Sequence, residues 1–252
     1  MIGKGKAKQR YHDLELRREP FLRRARDCAA ITIPALMPPQ GHNPTQTLPQ
    51  PNQSLGAQCV THLANKTMTA LLPPGLPFYR LELPLEALLE AGTQEVPPDL
   101  EKQLALSEQL IMSKIERRNW RAATSTSLEQ LIVCGNVLEN IGVDNSIRTF
   151  RLDQYVVDRD MAGNLIEVIT CIHVHPTALP ERLAQVVDPK LKQTPTTDIK
   201  VFTWSKLRPD GKWVTHQEVE DDVVPNTQQV TDYCPFIALR WSIVPGEPYG
   251  RG

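Results

Sequence analysis

The sequence has no Cys-x-x-Cys pair, no His-Glu-x-x-His, no Gly-x-Ser-x-Gly and no glycine-rich phosphate-cradling loop. These absences remove the usual signatures of zinc ribbons, metalloproteases, serine hydrolases and P-loop enzymes. No apolar run approaches the ~20 residues that span a bilayer. The N-terminus is charged and lacks the apolar core of a signal peptide. Aromatic residues make up only 6% of the chain, which is thin for a module that stacks on bases. The net charge is -1, so the chain as a whole is no polyanion binder. The five cysteines (Cys28, Cys59, Cys134, Cys171 and Cys234) are odd in number and far apart. Reduced thiols in a cytosol-like compartment are the expectation.

What is present is a chain able to bury a core. It has 252 residues, 40% of them hydrophobic, which suits one large domain or two ordinary ones. Its 22 prolines are clustered and imply sharply ended elements joined by stiff loops. Charge is uneven. Residues 1–26 hold nine Lys/Arg against three Asp/Glu, a local +6, which leaves -7 for the rest. Six cations of this arm, Lys4, Lys6, Lys8, Arg10, Arg17 and Arg18, are the candidate contacts for an anionic partner.

Residues 10–33 have helical spacing, with Tyr11, Leu14, Phe21, Ala25, Cys28 and Thr32 on one face. Arg17, Arg18, Arg23, Arg24 and Arg26 are expected outside it. Pro20 should kink this helix or begin a second one. Residues 34–52 are a Pro-, Gln- and Asn-rich loop. Ser54 is a candidate N-cap for a helix whose stripe is Val60, Leu63, Ala64, Thr67, Met68 and Leu71, ended by Pro73-Pro74-Gly75. Residues 78–83 read as a short strand and 90–98 as a polar break. Residues 99–118 form the clearest helix, with Leu100, Leu104, Ser107, Ile111, Ile115 and Arg118 along one side. Asp99 and Glu101 lie at its start and Lys114, Arg117 and Arg118 at its end, as the helix dipole favours. A further helix over 121–133 runs into Gly135, where the period changes from 3.6 to 2.

Strands then follow over 137–143, 147–152, 155–159, 165–174, 198–207, 213–219 and 236–244. The turns between them lie at 144–146, 161–164 and 209–211, with a short helix over 177–187. In the last strand Ile237, Leu239, Trp241 and Ile243 alternate on one face. The pattern is α+β, a helical N-terminal half packed on an antiparallel meander. The organisation expected is a basic helical arm (1–34), a Pro-rich loop (35–52), a helical part (53–135) and an antiparallel β part (136–252).

Candidate chemistry is sparse. Cys171, His173 and His175 alternate along one strand and could offer zinc ligands. At ~3.3 Å per residue, however, the three span ~13 Å, too far to meet on one ion. The apolar residues Ile166, Val168, Ile172 and Val174 hold the other face, so the Cys-His face is read as the wetter one. Asp153, Asp158 and Asp160 with Arg159 could suggest two-metal chemistry, but Asp160 opens a turn, where Asp is expected anyway. Glu218, Glu220, Asp221 and Asp222 read as an acidic strand-end loop. No catalytic, cofactor or metal residues are assigned.

Four stretches resemble a known family. The first is Arg10-Tyr11 through Cys28-Ala29 to Thr32-Ile33-Pro34. The second is Gly56-Ala57 through Leu63-Ala64, Lys66, Met68 and Ala70-Leu71 to Pro74, then Phe78-Tyr79-Arg80-Leu81. The third is Leu131, Val133 and Gly135-Asn136-Val137-Leu138, then Tyr155-Val156-Val157, Arg159-Asp160 and Gly163-Asn164. The fourth is Cys234-Pro235-Phe236-Ile237 with Tyr249-Gly250-Arg251. In this order they resemble the head-to-tail connector, or portal protein, of short-tailed bacteriophages.

The resemblance implies a non-enzymatic part of the virion. Portal proteins form rings, typically of twelve subunits, at one capsid vertex, and DNA is packaged and ejected through them. Their partners are copies of themselves, capsid or scaffold protein, the packaging motor, the tail and the passing DNA. Assembly takes place in the host cytoplasm. The matched portion is the α+β wing. In the family the segment after Tyr-Gly-Arg enters a stem helix, whereas this sequence stops at Gly252. The expectation is therefore an N-terminal piece of a connector or one of several chains composing it, unable alone to close a DNA channel. Two other readings stand beside it: a DNA-binding module using the basic arm, and a metal-dependent hydrolase on the Cys-His or Asp residues.

Overall fold

One long helix ties the whole molecule together. The computed structural model describes residues 5–43, 45–84, 86, 96–118, 120–142, 146–184, 186 and 198–252. Helix α1 (Ala7–Ile31) is unbroken over 25 residues, a rod of about 37 Å at 1.5 Å per residue. Its buried positions are Ala7, Tyr11, Leu14, Arg18, Leu22, Ala25 and Ala29, an unbroken three-and-four spacing. Helices α2 (Leu55–Leu71), α3 (Pro98–Arg117) and α4 (Trp120–Cys134) follow, and a short α5 (Glu181–Ala184) lies between strands.

Among the described residues nine strands follow: β1 (Asn136–Ile141), β2 (Ile147–Phe150), β3 (Tyr155–Arg159), β4 (Leu165–Val174), β5 (Ile199–Leu207), β6 (Trp213–Val219), β7 (Asp222–Val223), β8 (Gln229–Thr231) and β9 (Phe236–Arg240). They form two antiparallel sheets. The smaller has the order β2-β1-β9, and the larger runs β3-β4-β5-β6-β7 with β8 also on β6. The architecture is α+β, as the pattern of elements implies.

Helix α1 serves two cores. Its first half (Ala7, Tyr11, Leu14) lies on one face of the large sheet, against Val156, Ile169, Cys171, Phe202 and Trp204. Its second half (Leu22, Ala25, Ala29) joins a larger core built from Val60 of α2, Val133 and Cys134 of α4, Leu138, Phe150 and Phe236 of the small sheet, and Tyr155, Val157 and Tyr249. Strand β3 feeds both cores, because successive residues point to opposite faces. Gly211 turns the β5–β6 hairpin at φ +80, with the Gly211 N–H donating to Arg208 O at 3.0 Å.

Several expectations are corrected. Arg18 lies inside the α1 stripe, and Leu22 and Ala29 belong to it, while Phe21, Cys28 and Thr32 flank it half-buried. Position 18 sits four residues from both Leu14 and Leu22, so spacing places it inward although its charge suggests otherwise. Residues 78–83 form no strand. They run along α3, where the Leu81 N–H donates to Glu108 Oε1 at 2.7 Å and the Tyr79 hydroxyl to Glu108 O at 3.1 Å. The first of those bonds occupies the Leu81 N–H, a backbone group that strand pairing would need. On α2 only Val60 and Ala64 are buried, and Leu63 and Leu71 are exposed. Ser54 stands at the N-cap but makes no side-chain cap bond. The turn at 144–146 and the helix over 177–187 lie partly outside the described residues.

Pro20 neither starts nor ends a helix, because α1 continues through it. It is exposed and lacks the N–H that would bond Leu16 O. Pro20→Ala should therefore raise stability by about 1 kcal/mol or more, on the order of 2–4 °C in melting temperature. A thermal melt checks this, and an unchanged or lower midpoint would mean the ring supports the packing of α1.

Candidate functional site

The basic start of the chain docks on acids of its own sheet. By register, Glu167, Ile169 and Cys171 of β4 share a face with Phe202 and Trp204 of β5 and with His216 and Glu218 of β6. Glu218 is fully buried. Its Oε2 accepts the Ala7 N–H at 2.9 Å and its Oε1 lies 2.8 Å from His216 Nε2. A carboxylate at this point satisfies an orphan donor of the first turn of α1 and complements the helix dipole. Arg10 bonds Glu167 Oε2 at 2.7 Å and Asp158 Oδ2 at 2.9 Å, while the indole of Trp204 donates to Glu167 Oε1 at 2.8 Å. The hydrogen bond to Glu167 raises the pKa of Arg10. Lys8 reaches Glu220 at 3.2 Å and Asp221 at 3.3 Å. The acidic stretch expected as a strand-end loop is thus in part a binding face for α1, and Glu218 lies within β6 rather than beyond it.

Arg18 marks the seam between the two cores and is 2% exposed. Its Nη1 lies within hydrogen-bond distance of Tyr11 Oη (2.9 Å) and of the carbonyl oxygens of Leu152 (3.1 Å), Asp153 (3.1 Å) and Tyr155 (2.7 Å). Its Nη2 donates to Glu15 at 3.0 Å. It thereby ties α1 to the short 3-10 turn Leu152–Gln154 that precedes β3. Of the six cations named from sequence, Lys8, Arg10 and Arg18 are engaged within the chain, Lys6 is exposed, and Arg17 is exposed with one long contact to Asp158 at 3.5 Å. Lys4 lies outside the described residues.

The Cys-His strand is a correction. Cys171 lies on the face covered by α1 and is buried, so that face is not the wetter one. His173 is exposed at the end of the strand and His175 lies beyond it. Among the described residues no three His, Cys, Asp or Glu converge on a possible metal position. Asp153 is held by Arg151 at 2.9 Å, Asp158 by Arg10, and Asp160 by Asn164, so the three aspartates serve different partners. Burial pushes the thiol of Cys171 up to about 11 and that of Cys134 up to about 12, whereas Cys59 is exposed. A thiol reagent at pH 8 should therefore label Cys59 first and leave Cys134 and Cys171 unmodified until the protein unfolds. Mass mapping of the labelled positions with and without urea checks this.

The chain end returns to the start of the sheets. The amide of Asn136, 1% exposed, donates through Nδ2 to Gly250 O at 2.8 Å and accepts the Gly250 N–H through Oδ1 at 2.7 Å. Next to it, the buried hydroxyl of Tyr249 accepts the Val157 N–H at 3.0 Å, closing the free edge of β3. Burial pushes the Tyr249 phenol up to about 12, so it stays a neutral hydroxyl. Gly135 O accepts the Trp241 N–H at 2.9 Å. Sequence patterning carries no sign of this pairing, because hydrogen bonds between residues 114 positions apart leave no local period.

The strand with the clearest alternation faces outward. Strand β9 ends at Arg240, not Val244. Its inner face is Phe236 and Ala238: Ala238 opposes Leu138 and, across β1, Phe150, while Phe236 opposes Asn140 and meets the Phe150 ring edge-on at 6.2 Å. The alternating apolar residues therefore lie on the other side, and Ile237, Trp241 and Ile243 are 42%, 45% and 61% exposed. Ile141 shares that face by register and is also exposed. On the same face Val137, opposite Leu239, is fully buried.

No helix among the described residues is long and apolar enough to cross a membrane. The chain is 33% identical over 258 residues to the portal protein of Escherichia phage T7, covering 97% of this chain and 47% of that protein. It is 31% identical over 258 residues to the portal protein of Enterobacteria phage T3, covering 99% and 48%. With the portal protein of Enterobacteria phage SP6 the identity is 31% over 244 residues, covering 93% and 46%. The chain thus spans about half the length of these relatives. The family described as bacteriophage head to tail connecting protein matches residues 4–252, and the chain belongs to that family.

Proposed function

We propose that the chain is a structural component of a phage portal ring, the connector at the head-tail vertex through which DNA is packaged and ejected. The family match over residues 4–252 carries this reading. The outward set Ile237, Trp241 and Ile243 supports it, because a ring subunit must bury a patch of itself against the next copy. The role is structural rather than catalytic, and the separate partners of the three aspartates, with Cys171 buried and His173 exposed, favour that. Other partners in this reading are capsid or scaffold protein, the packaging motor, the tail and DNA. The organisation is an arm (1–34), a loop (35–52), a helical part (53–135) and a β part (136–252). The site of action is the virion vertex, after assembly in the host cytoplasm.

Sedimentation and electron microscopy test this. The chain, alone and co-expressed with the product encoded immediately downstream, should give ring-shaped oligomers in at least one setting. Trp241→Glu should weaken assembly while leaving the melting temperature of the free subunit within about 1–2 °C, because position 241 is already half in solvent. A stable monomer in both settings sinks the proposal. A DNA-binding role for the arm is tested with Lys6→Gln and Arg17→Gln rather than by deletion. Removing residues 1–26 would take α1 out of both cores.

A further inference from the structure

A concavity of about 480 Å³ lies where the 158–163 turn meets the segment after β9. Three arginines line it: Arg17, Arg159 and Arg240. Arg159 is fixed by carbonyls, donating to Pro248 O at 3.0 Å, Gly163 O at 3.0 Å and Ala238 O at 3.1 Å. Arg240 donates to Glu247 O at 3.1 Å, and a Cβ built on Gly163 would lie 3.5 Å from its Nη2. The two guanidinium groups therefore converge on the same turn. Both are half-buried, and among the described residues neither forms an ion pair. Burial, and after it the charge of Arg240, lowers the pKa of Arg159. Two like charges held together partly out of bulk water repel one another, and an anion between them would relieve that.

Carboxylates also line the cavity, and each already has a partner. Asp158 is held by Arg10 at 2.9 Å, Asp160 by the Asn164 N–H at 2.7 Å, and Glu247 by Arg251. Three acids on the rim disfavour a dianionic phosphate more than a single carboxylate. Met161 and Ile243 on the wall are exposed and apolar. We infer that this cavity is a binding site for a carboxylate side chain flanked by apolar residues, presented by an acidic peptide segment of a partner protein. Arg240 is the chief ligand, because its remaining N–H groups have no partner among the described residues.

Saturation-transfer NMR with the probe peptide acetyl-Leu-Glu-Leu-amide tests this on the whole chain, whatever its oligomeric state. It is therefore independent of the ring proposal. Transfer to the leucine methyls should saturate with the Glu peptide, and the Gln analogue should bind at least fivefold more weakly. Arg240→Gln should weaken the Glu peptide by a similar factor. Arg17→Gln, at an exposed position, supplies a second variant with a smaller loss should Arg240→Gln fold poorly. Equal binding of the Glu and Gln peptides, no saturable transfer, or full binding by both variants overturns the inference. Displacement of the peptide by inorganic phosphate at lower concentration than the peptide itself needs would also overturn it, since the cavity would then be a phosphate site.

Discussion

Arg18→Met should be among the most damaging single substitutions in the chain, costing about 2–4 kcal/mol. Replacing a buried ion pair with apolar side chains is often harmless, because both charged groups leave together. Arg18 is different. Its main partners are the carbonyl oxygens of Leu152, Asp153 and Tyr155, which no side-chain change removes. Methionine would fill most of the space and leave the oxygens of Leu152 and Tyr155 facing an apolar contact, while Asp153 O keeps the Tyr11 hydroxyl as a donor at 3.2 Å. Each orphaned acceptor costs about 1–3 kcal/mol, offset in part by no longer burying a guanidinium. Arg18→Lys should recover only part of the loss, because one ammonium cannot reach Tyr11, the turn and Glu15 together. Urea unfolding gives the measurement, with a lower midpoint at unchanged slope. A loss below about 0.5 kcal/mol for Arg18→Met would mean that water already serves those carbonyls.

The same residue shows where sequence reading stops. The helices and most strands are legible, because a 3.6-residue or two-residue period is a local signal carried by many side chains. Strands β3, β4 and β6 fall at the residues expected from alternation. Arg18 is not legible in this way. Its spacing marks it as buried and its charge marks it as exposed, and only carbonyls more than 130 residues away resolve the conflict. The basic arm has the same history. A cluster of Lys and Arg looks like a surface for a foreign anion until Glu167 and Glu218 are seen beneath it. In the last strand the alternation is plain, but the direction is not. A period of two says that one face is apolar without saying which face meets the core, and Phe236 with Ala238 took the inside.

Gly135→Ala should be comparably costly, about 3 kcal/mol or more, and the reason can be separated experimentally. Gly135 has φ +72, so any side chain pays the left-handed penalty of roughly 1 kcal/mol. It also faces backbone rather than space. A Cβ there would lie 2.3 Å from Gly252 N and 2.4 Å from Arg251 C. Peptide backbone cannot rotate aside as a side chain can, so α4, β1 and the returning segment would have to part. The Asn136–Gly250 bonds and the Trp241 bond to Gly135 O lie directly in that seam. Gly211 supplies the control, since it has φ +80 and a Cβ there would meet nothing within 4 Å. Gly211→Ala should lose only the conformational part, about 1 kcal/mol. The excess of Gly135→Ala over Gly211→Ala then measures the close approach of the chain end to the helix-to-strand junction. Equal losses in urea unfolding would mean that the returning segment yields without cost and contributes little to holding the two sheets together.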